Sequence, residues 1–162
     1  MSEVQSFDNS LKLCIPVGET HLSLNDLMSY NSNAVLSNDD GVFCGHCKVK
    51  TSHTSNRELG PDLFLVEIIR VTESKENRLK NSASISFPLL LADLPGVSRQ
   101  YRVVASCHHR GSLTGGHWFT KALTKHGWYE LDDLKAKNLV SNPPGVKDNT
   151  VVVLLLVAED KF

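Results

Sequence analysis

The apolar residues of this chain fall into short runs that alternate with polar positions or stay continuous for only a few residues, and few recur at helical spacing. Leu11 to Val17 alternate and break at Pro16, which predicts a short strand. Ser23-Leu24-Asn25-Asp26-Leu27-Met28 has a capping serine with an acidic residue three positions on, so a short helix should start there. The Asn-, Ser- and Asp-rich stretch from Asn31 to Gly41 reads as loop. Val42-Phe43 and Lys48 to Ser55 read as hairpin arms around Cys44-Gly45-His46-Cys47. The dense β-branched and aromatic run Leu63 to Val71 predicts a central strand with most of both faces covered. Thr72 to Asn81 is polar and reads as loop, and Ile85 to Leu91 as an edge strand interrupted by Pro88. Tyr101 to Cys107 and Thr150 to Val157 should be further buried strands. Strands outnumber helices, so the expected class is α+β: a mostly antiparallel sheet with few short helices.

The bulk numbers narrow this picture. A chain of 162 residues is one domain's worth and, at this size, buries roughly 70% of the surface its unfolded form would expose. With 17 basic and 18 acidic residues, a formal net charge of −1 offers no electrostatic footprint for nucleic acid. No apolar stretch approaches the ~18 residues that span a bilayer, and Met1-Ser2-Glu3-Val4-Gln5 lacks a basic region followed by an apolar one. The expected setting is intracellular, cytoplasm or nucleus, without a membrane partner. Four cysteines, two of them spaced as Cys44-Gly45-His46-Cys47, fit metal ligation or thiol chemistry better than a disulfide framework.

The chemistry concentrates late in the chain. Gly115-Gly116-His117-Trp118 is followed by Trp128-Tyr129-Glu130-Leu131-Asp132-Asp133, and the fifteen positions from His117 to Asp132 are enough for two antiparallel strands joined at Lys125-His126-Gly127. Such a hairpin would set a carboxylate behind an imidazole, fixing its tautomer and stabilising the imidazolium it forms on taking a proton. The bland alternative is a turn histidine with an ordinary hydrogen bond. Adjacent residues on a strand face opposite ways, so only one of Asp132 and Asp133 should reach the ring. Gly115 and Gly116, lacking side chains, would let a loop lie close to a substrate tail; their alternative is a tight turn. Cys44 and Cys47 supply two of the four ligands structural zinc takes, with His46 and His53 as further donors; the alternative is a pair of free thiols. His108 beside Cys107 is better read as structural, since neighbouring strand residues project apart.

In order along nearly the whole chain, these segments resemble the second half of the ubiquitin-specific protease domain, a papain-like cysteine peptidase. Phe43-Cys44-Gly45-His46-Cys47-Lys48 is similar to the second cysteine pair of that family's zinc-binding fingers, and Leu59 to Val71 to its leucine-proline segment with the strand that follows. Phe87-Pro88-Leu89 looks like its phenylalanine-proline turn. Tyr101-Arg102-Val103-Val104-Ala105, then His109-Arg110-Gly111-Ser112-Leu113-Thr114-Gly115-Gly116-His117, is the most specific block. The resemblance implies the palm and lower fingers of the domain, with residues 1–162 forming its second half. It also implies His117 as general base, Asp132 as its orienting carboxylate, and Gly115 and Gly116 as a substrate-tail loop.

The family's nucleophilic cysteine and oxyanion-hole asparagine have no counterpart here, and Trp118 and Val71 replace a tyrosine and a phenylalanine. The first cysteine pair of the fingers would precede Met1, which leaves Cys44 and Cys47 as a zinc half site and no cofactor as a requirement. The function implied is hydrolysis of the bond after the ubiquitin C-terminal glycine, performed together with a complementary nucleophile-bearing segment. The isolated chain should be inactive. The rival is a non-catalytic module that binds ubiquitin or a related modifier; a fragment without an independent role is a third reading.

Overall fold

A capping serine, a run of alternating strands and one inward-turned arginine account for most of the architecture. The computed structural model describes residues 10–32, 42–43, 50–51, 62–73, 78–92, 99–138, 144–145 and 147–162. In chain order they form β1 (Ser10–Cys14), β2 (His21–Ser23), α1 (Leu24–Ser32), β3 (Val42–Phe43), β4 (Lys50–Thr51), β5 (Leu63–Ile69), β6 (Val71–Glu73) and β7 (Arg78–Lys80). There follow β8 (Ser84–Ser86), β9 (Leu90–Leu91), β10 (Tyr101–Gly111), β11 (Gly116–Thr124), β12 (Gly127–Asp132), β13 (Lys135–Asn138) and β14 (Val151–Ala158). The main sheet runs β1-β5-β14-β10-β11-β12-β13, with β9 also on β10. Its pairs are antiparallel except β1 with β5, and the small β2–β8 pair is parallel too. The mostly antiparallel α+β class expected from the sequence is what forms.

Helix α1 starts where the cap predicts. The Asp26 amide donates to Ser23 Oγ and the Ser23 amide to Asp26 Oδ2, both at 3.1 Å, a reciprocal box that satisfies two donors the helix cannot. At the other end Asn31 donates to the Cys14 carbonyl at 3.0 Å and accepts from the Cys14 amide at 2.8 Å. Those two bonds fasten the helix to β1. Leu24, Leu27 and Met28 then lie on Leu11 and Leu13 of β1, Phe64, Val66 and Ile68 of β5, and Leu154 and Leu156 of β14, in one buried core. Phe64 meets Tyr101 edge to face, with ring centroids 4.8 Å apart.

Among the described residues, only one face of the sheet joins that core, which corrects the expectation for Leu63 to Val71. Strand β5 is interior, between β1 and β14, yet Leu63 and Leu65 are 48% and 41% exposed while Phe64, Val66 and Ile68 are buried. The run also ends at Ile69, because Arg70 turns inward. Its Nε donates to the Val151 carbonyl at 2.6 Å, and its terminal nitrogens to Ala83 at 2.8 Å, Asn81 at 3.2 Å and Asp148 at 3.3 Å. Burial pulls the Arg70 guanidinium down to about 10, against the opposing charge of Asp148. A buried cation that satisfies four carbonyls pins the start of β14 to the end of β5.

Two further assignments change. The stretch Thr72 to Asn81 is not simply loop, since β6 and β7 pair as antiparallel strands. Residues Asn31 and Ser32 belong to α1 rather than to the loop that follows. Ile85 to Leu91 is interrupted around Pro88 as expected, its two parts joining different partners, β8 on β2 and β9 on β10. Of the hairpin expected around the Cys-x-x-Cys, the described part of its arms pairs antiparallel, with Val42 opposite Thr51 and Phe43 opposite Lys50. Cys44, Cys47, His46 and His53 themselves lie outside the described residues.

Candidate active site

Strands β11 and β12 make the hairpin that the spacing of His117 and Asp132 suggested. Its register runs Thr124 opposite Gly127 to Thr120 opposite Leu131, leaving His117 near the start of β11 and Asp132 at the end of β12. His117 Nε2 lies 2.5 Å from Asp132 Oδ1, with both side chains a little under half exposed. Bonding through Nε2 leaves Nδ1 as the nitrogen available to take up and return a proton. The carboxylate sets the ring's tautomer and orientation, which is what a general base needs from its partner.

Asp133 does not simply face away. It sits beyond the strand in a left-handed turn, with φ of 51°. Its carboxylate therefore returns to within 4.8 Å of the other two groups. The alternation argument fails there because it applies inside a strand, whereas β12 ends at Asp132.

Gly115 and Gly116 lie at the tip joining β10 to β11. Gly111 is paired with Gly116, and the Ser112 amide and hydroxyl donate to the Gly115 carbonyl at 2.8 and 3.1 Å. Two positions of this turn require glycine. Gly111 has φ of 117°, and a Cβ on Gly116 would lie 2.3 Å from His109 Nε2. Gly115 faces open space. Trp118 is 55% exposed, and its ring lies 4.6 Å from that of His109.

Neither described cysteine is oriented toward His117. Cys107 is paired with Thr120, three residues along β11 from His117, so it projects from the opposite face of the sheet. Cys14 is on β1, four strands from β11, or about 19 Å at ~4.8 Å per strand. His108 makes no Cys-His pair. It is fully buried, with Nε2 at 2.7 Å from Ser106 Oγ and Nδ1 at 3.0 Å from Thr150 Oγ1 and 3.2 Å from Asp148 Oδ2. Phe119 stacks on it at 4.8 Å.

Sequence reasoning did not single out Asp148. Its Oδ1 accepts from the Thr150 amide at 2.8 Å, the Thr150 hydroxyl at 2.7 Å and the Val151 amide at 3.1 Å, and Lys121 Nζ is 3.7 Å from Oδ2. Burial pushes the Asp148 carboxyl up, but His108 and then Thr150 outweigh it and hold it well below the usual carboxylate range. The one available signal was Asp148-Asn149-Thr150 just ahead of a buried strand, a turn spacing in which an Asp accepts from the amide two residues on.

An imidazole and a carboxylate thus meet on a β-hairpin, beside a glycine turn, in a largely antiparallel sheet, an arrangement chemically capable of proton transfer. The profile of the ubiquitin carboxyl-terminal hydrolase family matches residues 23–155, and this chain belongs to that family. Ubiquitin carboxyl-terminal hydrolase 21 of Mus musculus is 24% identical over 148 residues, covering 85% of this chain and 26% of the relative. Ubiquitin carboxyl-terminal hydrolase 10 of Arabidopsis thaliana is 27% identical over 139 residues, covering 79% and 15%. The chain thus spans about a quarter or less of these curated relatives. Among solved structures, a chain of the yeast SAGA DUBm carrying an Sgf73 mutant matches 91% of this chain. The TM-score is 0.74 at 16% identity, and 34% of that chain is covered, a likeness of fold.

Proposed function

We propose that this chain is the base-bearing half of a ubiquitin-specific protease domain, acting in cysteine-type deubiquitination with a complementary segment that supplies the nucleophile. The supporting observation is the 2.5 Å contact between His117 Nε2 and Asp132 Oδ1 beside the Gly115-Gly116 turn. In this reading the thiol of the complementary segment gives its proton to His117 Nδ1, and the thiolate attacks the carbonyl of the ubiquitin C-terminal glycine. The C–N bond breaks as His117 returns the proton to the leaving amine. Water, deprotonated by His117, then cleaves the thioester and regenerates the thiol. Asp132 holds His117 and stabilises the imidazolium. Gly115 and Gly116 lie along the substrate tail.

A second reading, a ubiquitin-binding module without turnover, is favoured by the placement of Cys14 four strands away and of Cys107 on the opposite face of the sheet from His117. The two readings separate by experiment. The single chain should neither hydrolyse a ubiquitin C-terminal reporter nor react with a thiol-directed ubiquitin probe. Adding a segment with the family's nucleophile helix should produce turnover that His117→Ala abolishes. Tight binding of ubiquitin by the single chain, with no turnover on complementation, would establish the module instead.

A further inference from the structure

We infer that Lys80 is a positioning residue for the loop carrying Gly115, Gly116 and His117, acting by holding the His109 ring in one tautomer and one orientation against that loop. This role rests on the reading of His117 as a base, but its geometry stands independently. Lys80 lies on β7, outside the hairpins that bear the site. Its ammonium is 2.8 Å from His109 Nδ1, 2.9 Å from the His109 carbonyl and 2.7 Å from the Gly111 carbonyl. An ammonium has three hydrogens and no lone pair, so each of these three atoms must accept one. His109 therefore presents a lone pair at Nδ1 and carries its hydrogen on Nε2.

The rest of the ring is held by the loop. Its Nε2 and Cε1 edge occupies the space a side chain on Gly116 would take, at 2.3 and 2.7 Å from an added Cβ. Its face lies 4.6 Å from the Trp118 ring. Gly116 and Trp118 are the two chain neighbours of His117, so fixing the ring fixes the backbone on both sides of the imidazole. The same ammonium also holds Gly111, at the other end of the turn. One cation from a distant hairpin thereby closes both limbs of the loop.

Among the described residues, the charges that bear on this contact are Lys80 on His109 and Arg70 on Lys80, while Arg110 projects from the other face of β10. Arg110, opposite His117, points its guanidinium over Phe119 at 5.0 Å. Burial first, and then the Lys80 charge, pull His109 below the ordinary histidine range; burial and then Arg70 lower Lys80. A histidine whose folded value is depressed contributes stability that is complete above its unfolded value, about 6.5. That contribution fades as pH falls through the lowered folded value. Protonating His109 would set an N–H against the ammonium, so acid should release the loop.

The test uses the single chain labelled with ¹⁵N in its histidine rings and followed by NMR from about pH 8 to 5. The wild type should show His109 as the Nε2–H tautomer with a midpoint below ~6.5. Lys80→Met should raise that midpoint and speed amide exchange at Ser112, which donates to Gly115, by about tenfold or more, with Val66 in the core unchanged. An Nδ1–H tautomer in the wild type overturns the inference even if the variant fails to fold, and so does a Lys80→Met chain with unchanged midpoint and exchange. In the complemented enzyme, Lys80→Met should lower kcat by about ten- to a hundredfold with little change in KM, the scale of a base displaced by about 1 Å. An unchanged kcat would overturn the positioning role. An inactive wild-type pair would instead count against the base reading of His117, leaving the NMR result to decide the contact itself.

Discussion

Replacing Asp148 with alanine removes the centre of the buried polar network. Three donors to its Oδ1, the Thr150 amide and hydroxyl and the Val151 amide, would lose their acceptor, and His108, fully buried, would lose its anionic neighbour. Removing one partner of a buried charged network costs about 3–5 kcal/mol, because the groups left behind have already given up their water. For a chain of 162 residues, each kcal/mol moves Tm by about 2–4 °C, so the midpoint should fall by about 6–20 °C. Calorimetry and urea unfolding followed by fluorescence of the buried Trp128 would measure the loss. The pH dependence has a definite sign. The folded carboxyl is depressed, so its stabilisation is complete above the unfolded value of about 3.9 and is lost as pH falls through the folded one. The gap between wild type and Asp148→Ala should therefore be constant from about pH 5 to 7 and narrow below pH 4. A loss under about 1 kcal/mol at pH 7, or a gap that widens in acid, would refute the reasoning.

Other outcomes follow from single contacts. In the complemented enzyme, Asp132→Asn should lower the turnover rate by up to about 10⁴-fold, the scale seen when a triad carboxylate no longer enforces the tautomer. Asp133→Asn, which removes no direct contact to the ring, should cost far less. Ser23→Ala removes the acceptor of the Asp26 amide and should destabilise the chain by about 1 kcal/mol in urea melts. Zinc analysis of the purified chain should give well under one ion per chain, since strong structural binding takes four ligands; a stoichiometric ion lost on His53→Ala would show the histidines complete the site.

Local order was readable wherever the deciding interaction is local in the chain. The α1 start is written in Ser23 and Asp26, three residues apart, and the β11–β12 hairpin in the spacing around Lys125-His126-Gly127. The approach of Asp132 to His117 belongs to the same class, since one hairpin register aligns the two strands. What the pattern of side chains misjudged was cover. Leu63 and Leu65 read as core, but a strand's second face is buried only if another layer lies on it.

The tertiary structure alone decided the long-range polar contacts. Arg70 reaches across 81 residues to Val151, Lys80 meets His109 from 29 residues away, and His108 finds Thr150 and Asp148 about 40 residues on. Nothing local announces such pairs, because their stability comes from desolvating partners that only strand order brings together. The order β5-β14-β10 is what sets the head of β14, with Asp148 and Thr150, beside His108. From sequence alone, Arg70, Lys80 and Asp148 are three polar residues among many, and His108 reads as structural without its partners. The roles of Arg70, His108 and Asp148 follow from burial, where an unsatisfied polar group costs too much to persist, and that of Lys80 from the three acceptors β10 brings to it.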